Sequence, residues 1–380
     1  MRPTTILHVA ETAKGGVGSY LEELVPRQAE RHGADRVRVV LPAEHAALFD
    51  RLPPHALHGF EIGRAGRLRS MVRMARVVLA LVRQWRPEVV HLHSSYAGLM
   101  LRPLLALLPQ RPRVVYCSHG WAFDREAARW LNVAVAAVER IWARFCDAVV
   151  CISQHDRASA LRAGLPADRL VVVLNGIADI ATTPDVAVAQ DPWPDGTLRV
   201  LFVGRLDRQK GVDVLYAALD RLQQRAFAVV VGEAVVADAS HAPPAPRNAR
   251  AMGWLARGRI AELCRAADVL VVPSRWEGFG LVALEAMRCG CAVVASRTGG
   301  LPEVVEHGVT GLLFEPGAAD ELAARLQQHD RAAWRAMGAA GRRRYEARFR
   351  IERVCDELDA LYRRLIERAP ACSARPKPQA

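Results

Sequence analysis

The sequence predicts an α/β protein of two domains, each built on a parallel sheet with helices on both faces. Three observations carry that prediction. Short apolar runs alternate with stretches of helical composition along most of the chain, the pattern of parallel strands joined through helices. At 380 residues, 51% hydrophobic and 24% charged, the chain is long enough for two separate cores and has a soluble globular balance. Glycine-bearing loops directly follow apolar runs at GGVG and EGFG, where strand ends in such folds approach ligands.

In the first half, residues 4–10 read as a strand leading to Gly15, Gly16 and Gly18, with a helix beginning near Val17. A loop without Cβ atoms lets the backbone approach a ligand closely. The spacing is not the G-x-G-x-x-G fingerprint of dinucleotide binding, so a nicotinamide cofactor is not indicated. Further strands are predicted at 37–41, 89–92, 114–117, 148–152 and 171–174. His91 and His93 straddle the end of VVHLHS, and His119 and Gly120 lie just past VVYCS. A histidine at a strand end facing a cleft can donate to a sugar hydroxyl, while a buried histidine bonded to backbone is an ordinary core feature. His91 and His93 have no third metal-type ligand nearby in the sequence.

Between 64 and 86 lie seven arginines (64, 67, 69, 73, 76, 83 and 86) and no acid. Leu68, Met71, Val72, Ala75, Val78, Leu79 and Val82 recur there at helical spacing. Such a basic amphipathic helix either packs its stripe on its own sheet or meets an anionic membrane, with Met71, Val78 and Val82 inserting shallowly. The net charge of +12 also admits nucleic acid, but no nucleic-acid module is recognisable and aromatic residues are few. The eight cysteines show no C-x-x-C pair and read as buried thiols in a reducing cytoplasm. No apolar run approaches the ~20 residues that span a bilayer, so the expected location is cytoplasmic or peripheral on the inner face of the cytoplasmic membrane.

The predicted domains are 1–180 and 198–348, joined by a Pro-, Asp- and Thr-rich linker at 181–197. The second opens with a strand ending at Gly204, followed by Arg205, Lys210, Gly211 and a helix near Val212. Two cations at a strand end suit a departing diphosphate, which gains negative charge as a sugar bond breaks. After a strand at 228–232, Pro243, Pro244 and Pro246 exclude a helix interior from an irregular segment at 233–250. Residues 271–296 then read as strand, loop, helix, strand. The helix from Leu281 presents its unpaired N–H groups near Gly280, Leu281 and Val282, beside a loop holding Gly278 and Phe279. Glu277 sits in that loop, and Glu285 lies one turn up the face that starts at Leu281. Helices at 318–348 and 350–368 and a disordered tail at 369–380 complete the reading.

The EGFGLVALE stretch, with a preceding PS and a following glycine and apolar strand, resembles the signature of the retaining glycosyltransferases of family 4, also called group 1, which have the GT-B fold. GRLDRQKG and the GGVG loop agree with it, and the resemblance covers nearly the whole chain. It implies two Rossmann-like domains facing a cleft, the first holding the acceptor, the second the nucleotide sugar, and a terminal helix at 349–368 crossing back to the first domain. It places Arg205 and Lys210 on the diphosphate, Glu277 and His119 on the donor sugar and Glu285 on the ribose. Gly15 and Gly16 close over the diphosphate, with Gly204 and Gly278 to Val282 around it and Gly253, Trp254 and Leu255 near the base.

Where the family often has an aspartate after NGI this chain has Ala178, with Asp179 one later, so no role carries over to Asp179. The chain contains no pair of aspartates separated by one residue, the element that holds a metal on the diphosphate in other glycosyltransferases. The expectation is a metal-independent, cofactor-free hexosyl transfer from a nucleotide diphosphate sugar, with retention, to a saccharide or lipid-linked saccharide in cell-surface polysaccharide or glycolipid assembly. A GT-B sugar-nucleotide epimerase and a non-catalytic nucleotide-sugar-binding protein are the alternatives.

Overall fold

The structure, a computed structural model, describes residues 2–13, 15–62, 66–180, 191–233 and 244–368. The first half alternates β1 (Ile6–Ala10), α1 (Gly16–His32), β2 (Val37–Pro42), β3 (Leu57–Phe60), α2 (Arg67–Trp85), β4 (Val89–His93), α3 (Ser95–Ala106), β5 (Arg113–Cys117), α4 (Arg129–Trp142), β6 (Ala148–Cys151), α5 (Gln154–Arg162) and β7 (Leu170–Val172). These strands form one parallel sheet in the order β3-β2-β1-β4-β5-β6-β7. The strand β3 was not expected. Its sequence, LHGF, is half-exposed at the sheet edge and carries no apolar alternation.

The second half contains β8 (Leu198–Val203), α6 (Val212–Leu222), β9 (Ala226–Val231), β10 (Ala249–Ala251), α7 (Arg257–Ala266), β11 (Val269–Val272), α8 (Leu281–Arg288), β12 (Ala292–Ser296), α9 (Leu301–Val304), β13 (Gly311–Phe314), α10 (Ala319–Gln327), α11 (Arg331–Arg348) and α12 (Ile351–Glu367). Its parallel sheet has the order β10-β9-β8-β11-β12-β13. The central strands are fully buried, as parallel strands covered on two faces must be. The single helix expected at 318–348 is two, because Asp330 caps a new start: its carboxylate accepts the Ala333 N–H at 2.8 Å, satisfying a donor that has no partner within the helix.

Helix α12 returns to the first half. The Tyr362 hydroxyl lies 2.7 Å from His91 Nδ1, and Asp359 contacts His32 Nε2 at 3.0 Å. At its start, Ile177 and the chain at Phe349–Ile351 exchange two backbone hydrogen bonds of 3.0 Å. Asp179 accepts two bonds from Arg342, at 2.6 and 2.7 Å, so here it anchors the segment after NGI to α11.

Helix α2 corrects the sequence expectation in one respect. Met71, Val78 and Val82 are buried, together with Met74 and Leu81, so none of them is available to insert into a bilayer. The stripe is rotated from the one expected: Leu68 is 69% and Val72 38% exposed. Six arginines of the helix region, at 67, 69, 73, 76, 83 and 86, face outward; Arg64 lies outside the described residues. No helix among the described residues is long and apolar enough to cross a membrane. The described cysteines are free thiols, and all but Cys289 are buried. Most of the expected linker (181–190), the core of the irregular segment (234–243) and the tail (369–380) also lie outside the described residues.

Candidate active site

The carboxyl ends of both sheets open on one cleft of ≈ 600 Å³, within the usual range for a small-molecule site of roughly 300–1,000 Å³. Of the residues singled out in the sequence, Gly15, Gly16 and His119 line it from the first half. Gly204, Arg205, Lys210, Trp254, Leu255, Glu277 to Val282 and Glu285 line it from the second. Gly253 does not: its carbonyl accepts the Gly232 N–H at 2.8 Å, joining the ends of β10 and β9. His91 and His93 lie behind the wall, fully buried. The two halves touch beside His119, where a Cβ on Gly278 would stand 3.2 Å from the His119 carbonyl oxygen and 3.4 Å from Gly120 Cα.

The charged groups of the second half are paired rather than free. Lys210 Nζ lies 2.6 Å from Glu277 Oε2, which also accepts from Ser274 Oγ at 3.2 Å. Arg205 reaches Asp207 at 3.0 Å and Gln209 Oε1 at 2.8 Å. An ammonium has three donors, so Lys210 can hold Glu277 and a phosphate oxygen together. The Glu277 loop is fixed by a turn beneath it: Gly299 has φ +54°, and a Cβ there would fall 1.6 Å from the Glu277 carbonyl oxygen. Above the loop, Gly280 ends in a left-handed conformation that turns the chain into α8. Leu281 and Val282, the first residues of α8, line the cleft, and N–H groups at a helix start have no partner within the helix. Burial raises the pKa of Glu285, with Arg288 and Arg257 opposing the shift.

The wall of the first half is assembled differently. His8 on β1 pairs in register with His91 on β4, so a third histidine joins His91 and His93 through the sheet although it is remote in sequence. His8 Nε2 meets Gln28 Oε1 at 2.7 Å, His8 Nδ1 meets His93 Nε2 at 3.0 Å, and His93 Nδ1 meets His119 Nε2 at 2.9 Å. Burial lowers His8 and His119 to about 4, and His91 and His93 well below the usual value. The row is therefore neutral at physiological pH. His119 sits at φ +57°, a left-handed backbone that is uncommon for a residue with a side chain.

Asp156 also lines this wall and was missed in the sequence. It is 2% exposed, its Oδ2 has no hydrogen-bond partner among the described residues, and burial pushes its carboxyl up to about 7. The signal was the S-x-x-D spacing after the strand at 148–152: Ser153 Oγ accepts the Asp156 N–H at 2.9 Å, the helix-start pattern that places the acid at the mouth of α5. The same helix start is held across the cleft, since Glu303 accepts the N–H groups of Gln154 and His155 at 2.8 and 2.7 Å.

Comparison with known proteins agrees with this architecture along most of the chain. Residues 186–343 match the family model described as glycosyl transferases group 1, and residues 14–179 the model for glycosyltransferase family 4. An α-maltose-1-phosphate synthase of Mycolicibacterium smegmatis is 33% identical over 73% of this chain and 79% of its own. An uncharacterised 41.2 kDa protein of the cps region of Klebsiella pneumoniae is 26% identical over 94% of this chain and 99% of its own. Among solved structures, Anabaena HepE in complex with UDP-glucose superposes with a TM-score of 0.78 at 22% identity, covering 95% of this chain and all of that one. The chain belongs to the group 1, family 4 glycosyltransferases and has the GT-B fold.

Proposed function

We propose that the protein transfers a hexose-type unit from a nucleotide diphosphate sugar to an acceptor hydroxyl, with retention of anomeric configuration and without a metal ion on the diphosphate. The observation that carries this reading is the convergence of Arg205, Lys210, Glu277, Glu285 and the mouth of α8 on one cleft that also holds His119. Arg205, Lys210 and the first N–H groups of α8 offset the charge that grows on the leaving diphosphate. Lys210 orients Glu277, whose carboxylate takes the hydroxyls of the donor sugar, and Glu285 takes those of the ribose. His119 binds the sugar from the opposite wall, and the backbone at Gly15 and Gly16 closes over the diphosphate. Closure of the two halves completes the site and excludes water. The acceptor attacks the face from which the diphosphate leaves. The lack of two aspartates separated by one residue supports the metal-free assignment.

The acceptor in this reading is a saccharide or lipid-linked saccharide of cell-surface polysaccharide or glycolipid assembly, met at the inner face of the cytoplasmic membrane. The outward arginines of α2, with exposed Leu68 and Val72 between them, support an electrostatic contact with anionic lipid, each arginine contributing about 1 kcal/mol near the surface. The test is to incubate the protein with a panel of nucleotide sugars and saccharide acceptors and to assign the product anomer by NMR. The expected product has the anomeric configuration of the donor, formed at a rate that added Mg²⁺ or Mn²⁺ does not raise. An inverted product, or turnover only with Mg²⁺ or Mn²⁺, contradicts the reading.

A further inference from the structure

Beneath the cleft, His8, His91 and His93 are each fully buried, and one ring nitrogen of each lies within 4.8 Å of one nitrogen of the other two. Each ring is also engaged by an outer group: His8 Nε2 by Gln28 Oε1 at 2.7 Å, His91 Nδ1 by the Tyr362 hydroxyl at 2.7 Å, and His93 Nδ1 by His119 Nε2 at 2.9 Å. The nitrogens left over are His8 Nδ1, His93 Nε2 and His91 Nε2. The first two stand 3.0 Å apart, and the third has no hydrogen-bond partner among the described residues. A buried polar atom without a partner is costly.

We propose that these three histidines form a binding site for one divalent transition-metal ion of the zinc class. A metal-bound imidazole holds its proton on the outer nitrogen and donates it to a fixed acceptor, which turns the other lone pair toward the ion. All three rings have such an outer partner, and the arrangement comes from three different elements: Gln28 on α1, Tyr362 on α12 and His119 after β5. Two nitrogens that bind the same tetrahedral ion at about 2.0–2.1 Å stand roughly 3.3 Å apart, close to the separation of His8 Nδ1 and His93 Nε2. The ion would also give the unpartnered nitrogen of His91 its missing contact. Imidazole favours zinc, cobalt, nickel or copper over magnesium, so the site is chemically distinct from any metal bound to a diphosphate. Occupancy has a consequence for the cleft. With His93 Nε2 on the ion, its proton stays on Nδ1 and is donated to His119 Nε2, which keeps the proton of neutral His119 on Nδ1.

The proposal is tested on untagged protein stripped with a chelator and titrated with Co²⁺, followed by its visible ligand-field bands, and with Zn²⁺ against a chromophoric chelator. One ion per chain is expected, with the absorption of nitrogen-ligated tetrahedral Co²⁺ and a rise in Tm on adding Zn²⁺. His91→Ala should weaken binding by roughly 10²-fold or more and abolish the Tm rise. Tyr362→Phe, which keeps the ring in the core and removes only the outer hydroxyl, should weaken it about 10–100-fold and serves if His91→Ala does not fold. Absence of stoichiometric binding by the wild type overturns the proposal. So does equal affinity in wild type and variants, which would put the ion elsewhere, for example on the thiols of Cys264 and Cys289.

Discussion

The wall made by the second half of the chain carries its charges at the cleft surface, with Arg205 about half exposed and Lys210 paired to Glu277. The wall made by the first half holds a row of neutral imidazoles and a carboxyl pushed toward neutrality. The difference follows from burial. A charge next to water or beside an opposite charge costs little to keep, whereas a buried group without such a partner shifts its pKa toward neutrality. Under the proposed function, the division puts the leaving group on one wall and leaves the other to recognise hydroxyls.

Removing the central cation should break this division most severely. Lys210→Ala deletes the charged partner of Glu277, whose side chain is only 12% exposed, and the cation proposed for the leaving group. A fall in kcat of ~10²–10³-fold is expected in steady-state kinetics. A loss confined to KM would mean that Lys210 binds the donor without acting on the departing diphosphate.

The neutral wall should show itself in stability rather than rate. Burial pushes the Asp156 carboxyl up to about 7 from the ordinary 3.8, so the folded state binds more protons than the unfolded one between those values. Its stabilisation is complete below about pH 4 and is lost as pH rises through 7. Asp156→Asn should therefore be more stable than wild type at pH 8 by a few kcal/mol, up to about 4, with the margin shrinking to about 1 kcal/mol at pH 4.5, as read by urea unfolding. An unchanged difference across that range would remove Asp156 from the account. His8 and His119 act with the opposite sign. Their folded values near 4 lie below the ordinary 6.5, so stability falls as pH drops from 6.5 through 4.

Glu285→Ala tests a smaller effect on the charged wall. A carboxylate bonded to the ribose in ground and transition states alike should, when removed, raise KM about tenfold with kcat little changed. Smallest of all is the rim. Arg208 meets Glu126 across the halves at 2.9 Å, with both side chains about half exposed. Arg208→Ala should move stability by less than about 0.5 kcal/mol, a value that a larger measured loss would correct.

The same contrast explains what could be read from the sequence. Arg205, Lys210, Glu277 and Glu285 lie in two short continuous stretches next to apolar strands, so spacing alone brought them to one strand end and one helix mouth. The histidine row could not be read that way. His8 and His91 are 83 residues apart and become neighbours only through the register of β1 against β4, which a single sequence does not specify. The rotation of the α2 stripe was hidden for a related reason: Leu68 and Val72 fit the helical period but lie past the edge of the surface that the sheet covers. Asp156 went unread although its spacing from Ser153 offered a signal, whereas the anchoring role of Asp179 left none, since its partner Arg342 is on α11.

The claim that the charged wall receives the diphosphate unaided is tested most directly by calorimetric titration of UDP and other nucleoside diphosphates, with and without Mg²⁺. The account predicts that at least one binds equally well in both conditions, and that Arg205→Ala and Lys210→Ala each weaken it by about tenfold or more. Binding that appears only when Mg²⁺ is added, or that survives both substitutions unchanged, would contradict it.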